Sequence, residues 1–322
     1  MTNQEVIQEL WESGEAGLRL KLLAYGLIAE DAVADRALLQ QEFMRSELVS
    51  LLLEKVEVAG ERKDGSYDKW FGGHWVLAIL ADFPYPPGDQ RLLPLRDWQL
   101  AWLFGDRHQA MIRKRMVDGR QRRCTSQEGN ALFSHLRLGI ANERVHDLAQ
   151  ALLRWQWPDG GWNCDMNPHA STSSFHESLI PLRGLIEYQR RFPDGTVQEC
   201  IDRAKEVFLK REMFLRLSNG TVMNDNFLLL SYPSYWHYDI LTGLKVMAEG
   251  GWLDDPRCQK ALAMLKQKQL PEGGFPAEKR YYHLNPNKSG YSPVDWGGVR
   301  KRRMNPWVTV EALAVLKAAC CL

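Results

Sequence analysis

The chain has 322 residues, which is enough for one large domain or two average ones. Hydrophobic residues make up 45% and charged residues 25%, so the chain has the composition of a globular protein with a sizeable core. The formal net charge of +1 provides no global field, so we expect no nucleic-acid partner and no general attraction to an anionic membrane.

The sequence carries no sign of membrane insertion or secretion. No apolar run reaches the roughly 18 residues of a transmembrane helix, and the N-terminal segment MTNQEVIQEL is too acidic and polar for a signal peptide. Six scattered cysteines are typical of reduced thiols rather than of a disulfide framework. These features predict a cytoplasmic protein and leave its oligomeric state open.

Helical segments come in pairs along the chain. Five segments with apolar residues at helical spacing each end in a turn of a polar residue and glycine. The turns are Asp64-Gly65, Asp118-Gly119, Asp159-Gly160-Gly161, Asn219-Gly220 and Glu272-Gly273-Gly274. A second, more uniformly apolar helix follows each turn and its loop, and an earlier helix of this second kind lies at AGLRLKLLAYGL. This order is typical of an array of helical hairpins.

Several helices of the second kind begin with capping residues. Thr125 with Glu128, and Ser174 with Glu177, have the spacing of capping boxes. The pair Asn305-Pro306 predicts an N-cap followed by a first-turn proline.

The sequence therefore predicts an all-α fold, since no alternating strand pattern exceeds a few residues. We expect a single domain over residues 1–322, an array of helical hairpins in which about six inner parallel helices lie against a layer of outer helices. Parallel inner helices gather their N-termini, and hence partial positive charge, at one end together with the longest loops. We expect a functional site at that end.

The glycine turns resemble the repeats of the α/α-toroid superfamily, which contains squalene and oxidosqualene cyclases and the β subunits of protein prenyltransferases. In the cyclases a repeat of the form Gln…Asp-Gly-Gly-Trp or Gln…Gly-Gly-Phe closes each outer helix. Gln156 with residues 160–162 fits this repeat, and Gln267 or Gln269 with residues 273–275 fits it nearly as well. The segments SQEGNAL and WQWPDGGWNCD are also similar to those of squalene-cyclase-like bacterial proteins of unassigned function. The resemblance implies a toroid and an isoprenoid-type ligand.

The acids of the cyclases are missing from this chain. The segment CTSQEGNALFSHL resembles the oxidosqualene cyclase segment Asp-Cys-Thr-Ala-Glu, but Arg123 stands at the position of the catalytic aspartate and one extra residue precedes Glu128. Neither Asp-x-Asp-Asp nor Asp-Asp-x-x-Asp is present. Arginine cannot donate a proton to an alkene or an epoxide, so ordinary cationic cyclisation at this position is disfavoured.

The segment WNCD raises the question of a metal. Cys164, Asp165 and His169 are a thiol, a carboxylate and an imidazole within a few residues, and zinc accepts all three ligand types. Protein prenyltransferases bind zinc through an Asp-x-Cys pair and a later histidine, whereas the pair here is adjacent and reversed. The alternative is a buried cysteine beside a loop-capping aspartate, so zinc remains a candidate cofactor only.

A second candidate constellation lies in YWHYDIL, at the predicted start of an inner helix. His237 and Asp239 are suited to acid–base chemistry, with Trp236 and Tyr238 as aromatic walls. In the alternative interpretation the aromatic residues fill space between helices and Asp239 stabilises the helix N-terminus.

Three further residues also have a structural alternative. Glu128 and Glu177 are candidate acids, but each lies at a position where helix capping explains a glutamate. His74, beside Trp75, is either a site residue or a hydrogen-bonded histidine of the core.

Two basic runs, GRQRRCT and GGVRKRRMNPW, precede inner helices in an otherwise neutral chain. If both runs surround the end of the array where the inner helices begin, they would attract phosphate, diphosphate or carboxylate. The alternative is that they are solvated loops. Their members are Arg120, Arg122, Arg123, Arg300, Lys301, Arg302 and Arg303.

Three functions remain open. The first is an enzyme that binds an apolar, isoprenoid-type ligand by its anionic head and catalyses prenyl transfer or a non-standard cyclisation, with His237, Asp239 and Glu128 transferring protons. The second is a toroid that binds such a ligand without catalysis, and the third is a zinc-dependent prenyltransferase-like subunit that needs a partner chain. The residues assigned to ligand contact are His74, Trp70, Arg123, Gln127, Glu177, Trp236, Tyr238, Arg302 and Trp307.

Overall fold

A computed structural model describes residues 1–29, 36–59 and 65–322. Its described residues are mostly helical, as the sequence predicts, and their one sheet is a hairpin of two short antiparallel strands. Asp64, in the first predicted turn, lies outside the described residues. The helices are α1 (Asn3–Glu12), α2 (Ala16–Ala24), α3 (Arg36–Met44), α4 (Glu47–Ala59), α5 (Gly73–Ala81), α6 (Leu93–Leu103), α7 (Asp106–Arg113), α8 (Ser126–Arg137), α9 (Arg144–Trp155), α10 (Phe175–Arg191), α11 (Gly195–Leu209), α12 (Ile240–Glu249), α13 (Gln259–Lys266) and α14 (Pro306–Ala318), and the strands are β1 (Met116–Val117) and β2 (Arg120–Gln121).

The two predicted classes of helix differ in burial. In α8 every residue from Ser126 to Leu136 is buried, and α5 and α14 are buried almost as completely. In α9 the buried residues form a single stripe, which is the pattern of a helix with one face toward solvent. None of the described helices is long and apolar enough to cross a membrane.

The six helices of the second class contact one another in sequence order. α5 packs against α8, α8 against α10, α10 against α12, α12 against α14, and α14 against α2. Each also contacts a helix of the first class, as in the pairs α1–α2, α4–α5, α8–α9, α10–α11 and α12–α13.

The closest of these helix pairs is α8 with α10, and small residues allow it. A Cβ atom on Gly129 would lie 2.7 Å from the backbone nitrogen of Pro181, and one on Gly184 would lie 2.7 Å from the Gly129 carbonyl oxygen. Substituting either glycine would therefore push the two backbones apart.

The turn in WQWPDGGW joins two hairpins. Gln156 Nε2 donates to the carbonyl oxygens of Gly160 (2.7 Å) and Cys200 (2.8 Å), so it ties the end of α9 to α11. Gly160 has a φ of 105°, a conformation that favours glycine. Trp162 is fully buried, and its Nε1 donates to the Leu152 carbonyl oxygen. This segment is a structural clasp up to Trp162.

Of the predicted helix caps, only the one at Asn305 has the expected form. Its side chain accepts hydrogen bonds from the backbone of Trp307 and Val308, with Pro306 in the first turn. Thr125 and Ser174 make no capping hydrogen bond with their own helices, so the two capping-box predictions are wrong.

Six charged side chains meet where the second-class helices approach their C-terminal ends, and we call this group the ionic cluster. Its members are Lys21, Asp82, Arg183, Lys245, Glu249 and Glu311. Asp82, which ends α5, pairs with Lys21 (3.1 Å), Arg183 (2.9 Å) and Lys245 (2.7 Å). Three cations thus face three carboxylates, and every charge has a partner.

Pairing determines the ionisation of the ionic cluster. Burial alone would raise the pKa of Asp82, but the neighbouring cations outweigh it and hold the pKa well below its usual range. Burial likewise opposes the charge of Lys21, yet Asp82 and Glu311 raise its pKa. Asp82 and Lys21 are therefore both charged at neutral pH.

Candidate ligand-binding site

A group of aromatic, imidazole and ammonium side chains lies at the starts of α5, α10 and α12, and we call it the aromatic end. It includes three ligand or acid–base residues predicted from the sequence, Trp70, Trp236 and His237. Its members are Lys69, Trp70, His176, Tyr235, Trp236, His237, Lys279 and Tyr281.

The rings of the aromatic end form two stacks. His237 lies between Trp236 and Tyr281, with ring centroids 3.8 and 3.4 Å away. Trp70 stacks on Tyr235 at 3.9 Å and meets His237 edge-on at 6.1 Å. Tyr235 has a φ of 52°, and its buried hydroxyl has no hydrogen-bond partner among the residues that the structure describes. A strained residue with an unsatisfied polar atom is more common at functional sites than in ordinary cores.

Two lysines lie over these rings. Lys69 Nζ is 5.3 Å from the Trp70 ring centroid and 5.2 Å from that of Trp236. Lys279 Nζ is 5.1 Å from the Tyr281 ring and donates to Asn226 Oδ1 at 2.6 Å. Within residues 1–29, 36–59 and 65–322 neither ammonium forms an ion pair with a carboxylate. The aromatic end therefore carries positive charge that the protein itself does not neutralise.

The two imidazoles of the aromatic end are neutral. Burial, opposed by a hydrogen bond to the Ser234 carbonyl and reinforced by nearby cations, lowers the pKa of His237 to about 3. Burial and Lys279 lower the pKa of His176 as well. His237 Nδ1 donates to Ser234 O at 3.0 Å, and His176 Nδ1 accepts from the Tyr238 backbone at 2.9 Å. His176 thus keeps an Nε2–H donor, and His237 keeps an Nε2 acceptor.

Tyr238 and Asp239 hold the segment before α12 in place. The Tyr238 hydroxyl donates to the Met213 carbonyl oxygen at 2.6 Å. Fully buried Asp239 accepts from the backbone and hydroxyl of both Ser231 and Thr242, at 2.6 to 3.0 Å. Its Oδ1 caps α12, which is the alternative interpretation of this residue, and its Oδ2 connects the helix start to Ser231.

A cavity of about 90 Å³ lies among α5, α8, α10, α12 and α14. Its walls include Trp75, Phe133, Tyr232 and Tyr235, and Lys245 of the ionic cluster also lines it. The cavity thus borders both groups, through Tyr235 of the aromatic end and Lys245 of the ionic cluster. Trp307, a predicted ligand contact, stacks on the wall residue Tyr232 with ring centroids 5.7 Å apart. On this measure one water occupies roughly 10–15 Å³, so the space suits a few waters or a small chemical group.

The two basic runs do not surround this cavity. Arg122 is fully buried, and it donates to the carbonyl oxygens of Asp165, Pro168 and Ala170. Arg123 is buried and paired, whereas Arg302 and its neighbours 300, 301 and 303 are exposed. None of them is among the described residues that line the cavity. The uncompensated charge at the helix starts comes from Lys69 and Lys279 instead.

Glu128 belongs to a separate buried group with Arg123, Gln127 and His108. Arg123 Nη2 donates to Glu128 Oε1 at 2.9 Å and also to Gln127 Oε1, and it lies 2.6 Å from His108 Nε2. Burial raises the pKa of Glu128, although Arg123 opposes the shift. Glu128 Oε2 has no partner and the residue lines a second pocket, of about 260 Å³, together with Arg144. Glu128 thus lies apart from His237 and Asp239.

His74 occupies a core position. Gln99 Nε2 donates to His74 Nδ1 at 2.7 Å, and Gln99 Oε1 accepts from His135 Nε2 at 2.8 Å. Burial lowers the pKa of each histidine to about 3, so both are neutral. This is the arrangement of hydrogen-bonded core histidines.

The predicted metal ligands do not come together. Asp165 and His169 are exposed, and Asp165 Oδ1 accepts from the backbone of Asn167. Cys164 instead lies beside Cys124 and Glu177, and the ligand atoms of these three residues are all within 4.8 Å of one another. They are the one such set among the described residues. The structure thus brings Cys164 together with Cys124 and Glu177, while Asp165 and His169 lie outside this group.

Five members of the aromatic end were not selected as site residues from the sequence: Lys69, His176, Tyr235, Lys279 and Tyr281. His176 lies in the segment SSFHESL, but a single histidine in an apolar helix has no distinguishing pattern. Lys69 and Lys279 are far apart in the chain, and only the fold brings them together.

Comparison with known proteins gives no further assignment, since no family model, curated protein or solved structure matches this chain.

Proposed function

We propose that the protein is an α/α toroid that binds, without transforming it, a small molecule with an anionic head and an apolar body. The head interacts with Lys69 and Lys279 at the aromatic end, and the body lies against the rings of Trp70, Trp236 and Tyr281. Ligands of this class include prenyl diphosphates and other isoprenoid anions.

Two features support closure of the second-class helices into a toroid. Each of the helices α5, α8, α10, α12, α14 and α2 contacts the next. Lys21 of α2 bonds to Asp82 at the end of α5, which links the last member of this series to the first. The ionic cluster thereby joins α2, α5, α10, α12 and α14 around one point.

The observation that carries the ligand class is the pair of lysines without carboxylate partners. Two partly exposed ammonium groups over an aromatic surface, with no carboxylate partner among the described residues, are positioned for an external anion. The rings beneath them provide a large apolar contact area with little conformational freedom to lose. His176 and His237 add one donor and one acceptor of hydrogen bonds.

The protonation states favour binding over acid catalysis. Cyclisation requires a group that gives a proton to an alkene or an epoxide. His237 is neutral at pH 7 because its pKa is about 3, and Asp239 is fully occupied as a helix cap. Neutral His237 is a weak acid, and although burial raises the pKa of Asp239, the hydrogen bonds from Ser231 and Thr242 favour its carboxylate form, so neither residue is suited to protonate an alkene or an epoxide.

Calorimetric titration of untagged protein with three probes tests the proposal. Farnesyl diphosphate supplies head and body, inorganic diphosphate the head alone, and farnesol the body alone. We expect farnesyl diphosphate to bind at least about tenfold more tightly than either fragment, which corresponds to about 1.4 kcal/mol.

Equal affinity for farnesol and farnesyl diphosphate would contradict the role of the lysines. Failure of all three probes to bind would contradict the ligand class. Formation of a new product on long incubation, detected by chromatography, would replace binding by catalysis.

A further inference from the structure

Cys124, Cys164 and Glu177 form a compact group that the proposed ligand site does not use; we call it the thiol–carboxylate cluster. Cys124 lies two residues before α8, Cys164 lies in the loop that follows the turn after α9, and Glu177 lies in the first turn of α10. Their sulfur and carboxylate atoms lie within 4.8 Å of one another, and Cys164 Sγ is 3.5 Å from Glu177 Oε1. Three separate segments thus bring metal-ligand atoms to one point.

We infer that the thiol–carboxylate cluster is a binding site for a thiophilic divalent cation, with zinc as the best match. Zinc prefers sulfur, imidazole and carboxylate ligands in tetrahedral geometry, with bonds of about 2.0–2.3 Å. Ligand atoms around such an ion are roughly 3.5 Å apart. The observed separations therefore need only a small contraction, within the reach of side-chain rotation.

The charges of the cluster favour a cation. Without an ion the Cys164 thiol donates a hydrogen bond to Glu177 Oε1, and a bound cation displaces the thiol protons, so that two thiolates and the carboxylate place three negative charges around it. A divalent cation removes two of these charges, and the N-termini of α8 and α10 stabilise the remainder.

The surroundings orient Glu177 for this role. The backbone N–H of Ser126 donates to Glu177 Oε2 at 3.1 Å, and the Thr125 hydroxyl donates to the Glu177 carbonyl oxygen at 3.0 Å. Oε1 is left facing Cys164. Outer hydrogen bonds of this kind fix the orientation of metal ligands. This arrangement also explains why Thr125 and Glu177 do not cap their own helices.

The coordination number implies an accessible ion. Three protein ligands leave the fourth tetrahedral position for water or a bound molecule, as in zinc sites that take part in chemistry. Both sulfurs belong to partly exposed residues, so an ion has a path to the cluster. His176, the neighbour of Glu177 on α10, lies in the aromatic end, so the two sites are adjacent but use different side chains.

Cobalt(II) titration and native mass spectrometry test the inference. The adjacent thiols Cys320 and Cys321 would bind metal ions independently of the cluster. Every protein in this test therefore carries Cys320→Ser and Cys321→Ser. We expect one zinc ion per chain after purification without chelator. We also expect cobalt(II) to give the near-ultraviolet thiolate charge-transfer band, with an intensity that indicates two sulfur ligands.

Variants assign the ligands. Cys124→Ser and Cys164→Ser should each remove one sulfur from the cobalt spectrum, and Glu177→Gln should lower zinc affinity by more than about tenfold, since even outer partners of zinc ligands are worth 10–100-fold. Cys200→Ser, which alters a buried cysteine of α11 outside the cluster, is the matched control and should leave the spectrum unchanged.

Three results would overturn the inference. The first is a metal-free protein whose cobalt spectrum lacks the thiolate band. The second is a Cys124–Cys164 disulfide in protein purified under reducing conditions. The third is full metal retention in Cys164→Ser. Because the spectrum of the parent protein reports the number of sulfur ligands, the test stands even if a cysteine variant does not fold.

Discussion

The ionic cluster and the aromatic end have opposite electrostatics within one helical assembly. In the ionic cluster three cations face three carboxylates, and every charged group is paired inside the protein. In the aromatic end two ammonium groups lie over aromatic rings with no carboxylate partner among the described residues. Complete pairing is expected of a group that holds helices together, whereas uncompensated charge is expected where the protein meets a ligand.

The comparison also explains why charge counts alone mislead. Arg122 and Arg123 belong to a conspicuous basic run, yet both are buried and their terminal guanidinium nitrogens donate to the protein's own carbonyl, carboxylate and amide oxygens. Lys69 and Lys279 belong to no such run. The partners of a charge, rather than the density of charge in the sequence, distinguish the two regions.

The largest predicted effect removes one charge from the ionic cluster. Glu311→Gln leaves Lys21 and Lys245 with one carboxylate fewer in a buried site. We expect the free energy of unfolding to fall by about 3–5 kcal/mol, the usual loss when one partner of a buried pair is removed. Urea unfolding followed by circular dichroism measures it. The control Asp147→Asn breaks an exposed pair with Arg144 and should cost less than about 1 kcal/mol. A loss equal to that of the control would remove the structural role of the ionic cluster.

As the pH falls, protonation should reduce the stability contributed by the aromatic end before it affects the ionic cluster. The pKa of His237 is about 3 in the folded protein and near 6.5 in the unfolded chain, so the unfolded state binds the proton first as the pH falls. The stability contributed by neutral His237 is therefore complete above pH 6.5 and is lost progressively toward pH 3. The lowered pKa of Asp82 keeps that carboxylate charged over the same range.

The variant His237→Gln isolates this contribution. Between pH 6 and pH 4 the free energy of unfolding of the parent protein should fall by about 1 kcal/mol per pH unit more than that of the variant. The limit for a single proton is about 1.4 kcal/mol per pH unit, and we expect less because His237 is partly exposed. Urea unfolding at a series of pH values provides the comparison. Parallel stability curves for the two proteins would show that His237 is not held neutral by the fold.

The smallest predicted effect on stability comes from the lysines themselves. Lys69→Gln combined with Lys279→Gln removes three partly exposed cation–π contacts and the bond to Asn226, so we expect a change of less than about 1 kcal/mol. Unfolding under the conditions used for Glu311→Gln measures it. A loss as large as that of Glu311→Gln would mean that the lysines hold the fold together, and the contrast between the two regions would disappear.

Local patterns in the sequence predicted the helices well. Leucine spacing placed the two helix classes, because burial of one face imposes the period of the helix directly on the sequence. Asn305 was correctly predicted as a cap because its partners, Trp307 and Val308, lie within three residues. Such features depend on neighbours in the chain and can be read from it.

Features that depend on long-range contacts were missed or misassigned. Glu177 has the spacing of a helix cap, but its carboxylate accepts from Ser126 on another helix. Cys164 seemed to belong with Asp165, whereas its nearest potential metal ligands are Cys124 and Glu177, which come from other segments. Lys69 and Lys279 are brought to the aromatic end only by the fold. No periodicity or spacing rule reports contacts of this kind.

The most direct test of the ligand site is the affinity of the double lysine variant for farnesyl diphosphate. Calorimetric titration would compare the parent protein, the variant Lys69→Gln/Lys279→Gln, and the control Lys260→Gln, which removes an exposed lysine paired with Glu212. We predict that the double variant binds at least about tenfold more weakly while the control binds like the parent. Unchanged affinity in a folded double variant would contradict the assignment of the anion to the aromatic end.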